Sequence, residues 1–249
     1  MEIDKIYNMD CLVGMTHIPD GSIDAIICDL PYGTTACFWD IVIPFDKLWE
    51  QYKRIAKPTA PIVLFGAEPF SSMLRLSNLD WYKYDYTWVK TKASGFQNAK
   101  IQPLRKHENI MVFYKEQPVF NQLNLVKLAK PIESGRVRAN NEKQHRLGVA
   151  GKEHETTETG WQTSVLEFAN PSGAGHLHPT QKPVDLLRYL IRTYSNEGDT
   201  ILDNCMGSGT TAVACIKEKR HFIGFELNEL YWKKACQRID AEQRQLSLF

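Results

Sequence analysis

Strand-like and helix-like segments alternate along most of this chain, and the alternation predicts an α/β fold with a doubly wound, mostly parallel sheet. Three observations support it. Apolar, β-branched runs at residues 23–28, 61–66, 200–203 and 221–226 are short enough for buried strands. Segments with a helical period, such as residues 45–56 and 184–194, separate them. One polar, basic stretch over residues 116–163 breaks the alternation and reads as an insertion.

Residues 5–10 read as a short strand ending in an acid, 11–18 as a short helix and 19–22 as a turn. The strand at 23–28 runs straight into Asp29-Leu30-Pro31-Tyr32-Gly33, and a polar, aromatic loop follows over 34–40. In the helix at 45–56, Phe45, Leu48, Trp49, Tyr52, Ile55 and Ala56 fall on one face, and Lys57-Pro58 closes it. The strand at 61–66 leads to a helix expected over 68–76. Two further strand-like runs, 84–90 and 109–114, flank a polar segment without periodicity, 91–108. Past the insertion, Thr180 is the expected N-cap of the helix at 184–194, with Pro183 in its first turn. The strand at 200–203 ends in Asp203, a glycine loop follows, and a helix is expected over 210–219. The strand at 221–226 ends in Glu226, and Asn228 caps a last helix to about residue 242. The chain thus divides into a main domain, residues 1–115 and 164–249, and the inserted region 116–163.

The bulk composition is that of a globular protein: 249 residues, 43% hydrophobic, 24% charged, net charge +1. No apolar run approaches a membrane span, and MEIDKIYNMD lacks the form of a signal peptide, so the cytoplasm is the expected location. Six scattered cysteines without a C-x-x-C pair read as reduced thiols. His176 and His178 are close, but no second pair of ligands completes a metal site, and none is expected. Charge is unevenly spread. Residues 83–155 hold 14 Lys and Arg against 7 Asp and Glu, a net +7 in a chain of net +1. That concentration suits a surface that meets a polyanion; a solvated insertion is the plainer alternative.

Two segments carry chemistry. In Asp29-Leu30-Pro31-Tyr32-Gly33, Pro ends a strand and Gly allows a turn, so a carboxylate, a backbone carbonyl and an aromatic ring are held together. In open α/β sheets the carboxyl ends of strands are where ligands bind. The second segment is Gly207-Ser208-Gly209-Thr210-Thr211-Ala212, between a strand and a helix, with Glu226 roughly 20 residues on. Glycines permit close backbone approach, and the acid can accept from ribose hydroxyls. No Lys stands where a Walker loop needs one. Asp203 at the mouth of the loop disfavours a pyrophosphate such as that of NAD and suits a ligand with an ammonium or sulfonium charge. S-adenosylmethionine has both charges and a ribose.

Asp29-Leu30-Pro31-Tyr32, Thr180-Gln181-Lys182-Pro183, Asp203 with Gly207-Ser208-Gly209-Thr210-Thr211, and Gly224-Phe225-Glu226 together resemble the β class of amino-group DNA methyltransferases. In that class the catalytic tetrapeptide precedes the recognition region and the cofactor loop comes last, a permuted order on a Rossmann-like fold. The resemblance implies S-adenosylmethionine as methyl donor. It implies a cofactor site of Asp10, Asp29, Thr180, Lys182, Asp203, Gly207, Gly209, Thr210, Thr211 and Glu226, with Asp10 at the adenine and Thr180 and Lys182 over the methionine end. It makes Asp29, Leu30, Pro31 and Tyr32 the catalytic loop. Two positions depart from the family pattern. Leu30 stands where Pro is usual, which predicts a looser loop with a working carbonyl. Asn204-Cys205-Met206 replaces the commoner Pro-Phe-x and leaves the packing of that loop open.

The implied reaction transfers a methyl group to the exocyclic amine of a base flipped from double-stranded DNA. Asp at position 29 leans toward adenine N6, and Ser is commoner in cytosine N4 enzymes. Lys90, Lys92, Lys100, Arg105, Lys106, Arg136, Arg138 and Arg146 are the expected DNA contacts. The alternatives are cytosine N4 as target, RNA or protein as acceptor, an NAD-dependent oxidoreductase, and a binding module with a vestigial cofactor fold. A stand-alone modification enzyme of a bacterial host or phage fits the absence of a nuclease-like segment. The tail Gln245-Leu246-Ser247-Leu248-Phe249 is similar to peptides that dock on the bacterial β sliding clamp, and packing back on the core is the alternative. A homodimer is a further expectation.

Overall fold

The computed structural model describes residues 1–34, 40–133, 155–171 and 181–246. An eight-stranded sheet is built from β1 (Lys5–Tyr7), β2 (Ala25–Cys28), β3 (Ile62–Gly66), β4 (Tyr82–Ser94), β5 (Arg105–Phe113), β8 (Val165–Phe168), β9 (Thr200–Asp203) and β10 (His221–Phe225). Its order is β1-β10-β9-β2-β3-β5-β4-β8. The helices are α1 (Cys11–Met15), α2 (Phe45–Ile55), α3 (Phe70–Ser77), α4 (Val184–Tyr194), α5 (Thr210–Lys217) and α6 (Glu229–Leu246). These elements belong to one compact unit, Met1–Asn121 with Ser164–Phe249. A second unit, Gln122–Thr163, contains the antiparallel pair β6 (Val126–Glu133) and β7 (Glu155–Thr159).

The strands from β1 through β3 are mutually parallel, and β5 enters antiparallel between β3 and β4. β2 and β3 are buried at every residue, as continuous apolar runs between two helical layers require. α2 buries Leu48, Trp49, Tyr52 and Ile55 at helical spacing, and the Trp49 indole donates to Ser77 Oγ of α3 at 2.7 Å. β9 and β2 are parallel neighbours, and the direction of winding reverses between them: β9 continues through α5 to β10 on one side, β2 through α2 to β3 on the other. This is the switch point at which open α/β sheets leave a crevice. Because β5 runs antiparallel, its first residues share that edge with the last residues of β2, β9, β10 and β4.

Several boundaries differ from the expectation. The segment 91–108 is largely a hairpin: β4 continues to Ser94, β5 starts at Arg105, and a 3-10 turn, Phe96–Asn98, lies between. β8 pairs parallel with β4, and β6 antiparallel with β7, all without a sequence signal. Pro183, not Thr180, occupies the N-cap position of α4; Thr180 lies outside the described residues.

Candidate active site

The carboxyl edge of the sheet encloses a cavity of about 890 Å³ lined by Asp10, Asp29, Asp203, Gly207 and Glu226. The β2–β9 register, Ile26 opposite Leu202, brings the loops after both strands side by side. The next strands add Glu226 after β10 and Asp10 after β1, so the topology alone collects these four acids.

Local chemistry shapes the glycine loop. Gly207 and Gly209 have φ of +56° and +78°, which side chains with a Cβ disfavour, and a Cβ on Gly209 would press on Ala235 at 3.2 Å. Gly207 N donates to Glu226 Oε2 at 2.8 Å, and Asn228 N donates to Oε1 at 2.8 Å. Asp203 accepts from Thr211 Oγ1 at 2.5 Å and from Cys205 N at 3.0 Å. Burial pushes the Asp203 carboxyl up to about 6, against those hydrogen bonds, and raises Glu226 too. Asp10 caps α1 by accepting from Val13 N at 3.1 Å.

Asn204-Cys205-Met206 forms a packed loop. Tyr52 Oη donates to Asn204 Oδ1 at 2.5 Å, which ties α2 to the loop, and the Asn204 amide faces the sulfurs of Cys11 and Cys205. Met206 fills the space over Gly224, where a Cβ would come within 2.4 Å of its methyl.

Leu30 is 4% exposed and packs in the core. Gly33 N and Thr34 N donate to the two oxygens of Asp40, each at 2.9 Å. Tyr32 stacks on Phe70 with centroids 5.0 Å apart. Packing of Leu30 and the two hydrogen bonds to Asp40 thus hold the turn where a second Pro would otherwise restrict it.

Sequence reasoning missed the group beside Asp29. Tyr32 Oη donates to Asp29 Oδ1 at 2.7 Å, and Lys182 Nζ to Oδ2 at 2.5 Å. Both donors have a second acceptor in Glu108 Oε2, 3.3 Å from Lys182 Nζ and 3.5 Å from Tyr32 Oη. Glu108 is in turn paired with Lys90. Two carboxylates and two ammonium groups thus alternate in a nearly buried, neutral chain. Burial raises the Asp29 carboxyl, opposed by Lys182. Burial would lower the Lys182 ammonium, but Asp29 and Glu108 reverse this and hold it above the ordinary lysine range. Burial would raise Glu108, but Lys182 and Lys90 hold it low.

The expected DNA contacts separate. Lys92, Lys100, Arg105 and Lys106 are exposed or part-exposed on the β4–β5 hairpin. Lys90 is corrected: at 8% exposure, paired with Glu108 and over the Trp88 ring, it is an interior cation that cannot track phosphates. Lys182, expected over a cofactor, lines the cavity and is paired with Asp29. Arg136, Arg138 and Arg146 lie outside the described residues, as do Ser247, Leu248 and Phe249 of the tail. The five described cysteines are free thiols.

Residues 23–237 match the model of the N6_N4_Mtase family, described as DNA methylase. The chain belongs to this DNA methylase family. The methylase is 28% identical over 251 residues to the Type II methyltransferase M.HpaI of Haemophilus parainfluenzae, covering 96% of this chain and 74% of that one. Its fold matches a crystal structure of an M1.HpyAVI–SAM complex with a TM-score of 0.64 at 24% identity, covering 95% of this chain and 98% of that one. It also matches the PvuII DNA methyltransferase, described as cytosine-N4-specific, with a TM-score of 0.69 at 16% identity, covering 97% and 91%. Both likenesses show a common fold, which in the methylase is a mostly parallel sheet flanked by helices.

Proposed function

We propose that this methylase transfers a methyl group from S-adenosylmethionine to adenine N6 in double-stranded DNA, at sites read by the unit Gln122–Thr163 and the basic hairpin. The observation that carries this reading is the adjacency of two loops at one sheet edge: Asp29-Leu30-Pro31-Tyr32 after β2, and the Gly207–Gly209 turn with Asp203 after β9.

The residues present fit the donor. The cavity lies within the size range of ligand sites and has room for a second group beside a cofactor. Glu226 is steadied by two backbone donors and keeps lone pairs for a diol. Asp203 places negative charge where a cationic ligand would be held, and Asp10 lines the same cavity, where the resemblance sets the adenine. Bound there, S-adenosylmethionine supplies an electrophilic methyl group.

Asp29 and the Leu30 carbonyl accept hydrogen bonds from the exocyclic amine of the base. That draws the amine nitrogen toward sp³ and frees its lone pair from the ring, so catalysis rests on positioning and electrostatics. Each oxygen of Asp29 already holds one donor and keeps a lone pair for the amine, but the Lys182 cation on Oδ2 lowers its proton affinity. Lys182 passes from Asp29 Oδ2 to Glu108, which needs only a short shift because Glu108 already lies 3.3 Å away. The move frees Oδ2 and removes a cation from beside it, which raises its proton affinity. Asp29 is then placed to take the amine proton. Tyr32 offers its ring to the base.

The PvuII likeness favours a second reading, cytosine N4, on the same chemistry. Nucleoside mass spectrometry of DNA from cells expressing the protein decides. N6-methyladenine supports the reading, and N4-methylcytosine alone rejects it.

A further inference from the structure

Two large apolar side chains stand uncovered at the end of the β4–β5 hairpin: Ile101, 82% exposed, and Phe96, 68% exposed. Their backbone is held in hydrogen-bonded turns. Gly95 at φ +87° turns the chain into the Phe96–Asn98 turn. Asn98 N donates to Gly95 O at 3.0 Å, Ala99 N to Phe96 O at 3.2 Å, and Ile101 N to Asn98 O at 3.0 Å. The tip therefore satisfies its own backbone and presents both side chains to solvent on a preformed support.

The charge around them is of one sign. Residues 86–107 contain Lys90, Lys92, Lys100, Arg105 and Lys106 and no Asp or Glu. Lys90 is neutralised inside by Glu108, which leaves four exposed cations along the hairpin that carries the apolar tip. At the base of the hairpin, Lys92 and Arg105 line the cavity that holds Asp29. An apolar tip on a hairpin whose exposed charges are all cationic, rising from the wall of that cavity, is complementary to a duplex: phosphates outside, stacked bases within.

We propose that Phe96 and Ile101 form a wedge that enters the base stack beside the target nucleotide and keeps the duplex open while the target base occupies the Asp29 cavity. This rests on the reading of the protein as a DNA methyltransferase. It assigns to the tip a role separate from phosphate contact. Lys92, Lys100, Arg105 and Lys106 hold the backbone, and the apolar pair fills the gap the extruded base leaves.

The test uses the full-length protein and a synthetic duplex containing its methylation site, located beforehand by sequencing plasmid DNA from expressing cells. Wild type, Phe96→Ala, Ile101→Ala and the double variant are compared on two substrates, one with the target base paired and one with it opposite an abasic site. On the paired duplex kcat/KM of the double variant falls about 10- to 100-fold, the range expected when stacking that offsets an opened step is lost. Opposite an abasic site its rate stays within about threefold of wild type, because an unpaired base needs little help to leave the stack. With 2-aminopurine at the target position, the fluorescence rise on binding is reduced in the variants. Cofactor affinity and thermal melting stay at wild-type values, since both side chains are exposed. Lys100→Ala is the contrast: it weakens binding to both substrates equally and lessens the salt dependence. Equal losses on both substrates for the double variant, or no loss on the paired duplex, overturn the wedge. Wild-type protein that methylates no DNA overturns the underlying reading instead, and does so before any variant is made.

Discussion

Removing the carboxylate of Glu108 perturbs the site where its charges are most tightly balanced. The side chains of Lys90, Glu108 and Lys182 are 9, 11 and 8% exposed, and with Asp29 their four charges cancel. Glu108→Leu leaves an excess positive charge in that volume and Lys90 without its partner; breaking a buried pair from one side costs about 3–5 kcal/mol. Lys90→Met leaves an excess negative charge at a similar cost. The double variant Glu108→Leu/Lys90→Met restores neutrality, and replacing a buried pair by apolar groups of similar volume is close to neutral. Urea unfolding followed by tryptophan fluorescence therefore gives a double variant far more stable than the sum of the singles implies, with a coupling of about 2 kcal/mol or more. The same variant isolates the chemistry. It folds, but Lys182 has lost the acceptor to which it would retreat and stays on Asp29. Its single-turnover methylation rate falls about 10- to 100-fold, equivalent to about 1.4–2.7 kcal/mol of barrier. Its affinity for S-adenosylmethionine, measured by calorimetry, is unchanged. A wild-type single-turnover rate in the double variant refutes the exchange of Lys182, and additive stability losses refute the neutral chain.

Other outcomes follow from the same geometry. Asp29→Ala abolishes methyl transfer and leaves cofactor binding nearly intact; equal loss of both places the catalytic edge elsewhere. Asp203, raised by burial to about 6, must be ionised to hold a cationic ligand, so cofactor affinity declines as pH falls below about 6, by up to about tenfold per unit. Asp203→Asn binds more weakly and lacks that bend; an identical pH profile in calorimetry rules the carboxylate out. Stability runs the other way. A carboxyl whose folded pKa lies above its unfolded value favours the fold as pH falls from about 6 toward 4, so chemical denaturation shows that contribution missing in Asp203→Asn. Gly209→Ala, at φ +78° and 3.2 Å from Ala235, lowers stability by about 1–2 kcal/mol in the same assay.

What could be read in the sequence was what is written locally. The β2 strand, its acid and the turn after it lie in ten consecutive residues, and Asp203, the two glycines and Glu226 follow a spacing set by one β-α-β step. Buried parallel strands are continuous apolar runs, which is why β3 and β9 were plain. The hairpin was not. Its outer residues face solvent on both sides, so Lys92 to Lys106 lose the alternation that marks a half-buried strand. β8 has four residues and one buried side chain, too little pattern to register. The Asp29–Lys182–Glu108–Lys90 chain was invisible for another reason. Each charge sits in a polar context that suggests solvent, and its partners are 18 to 153 residues away, brought together only because β5 is inserted antiparallel beside β3. No local signal separates such a lysine from one that meets phosphate, which is why Lys90 reads from sequence as a surface cation although it is buried.

The central claim is that Asp29, at the junction of the two loops, directs a methyl group onto adenine N6 in DNA. Its most direct measurement is single-molecule sequencing of one plasmid from cells expressing the wild type or Asp29→Ala. The account predicts N6-methyladenine at one recurring sequence with the wild type and none with the variant. Modified cytosine alone, or equal modification by both proteins, contradicts it.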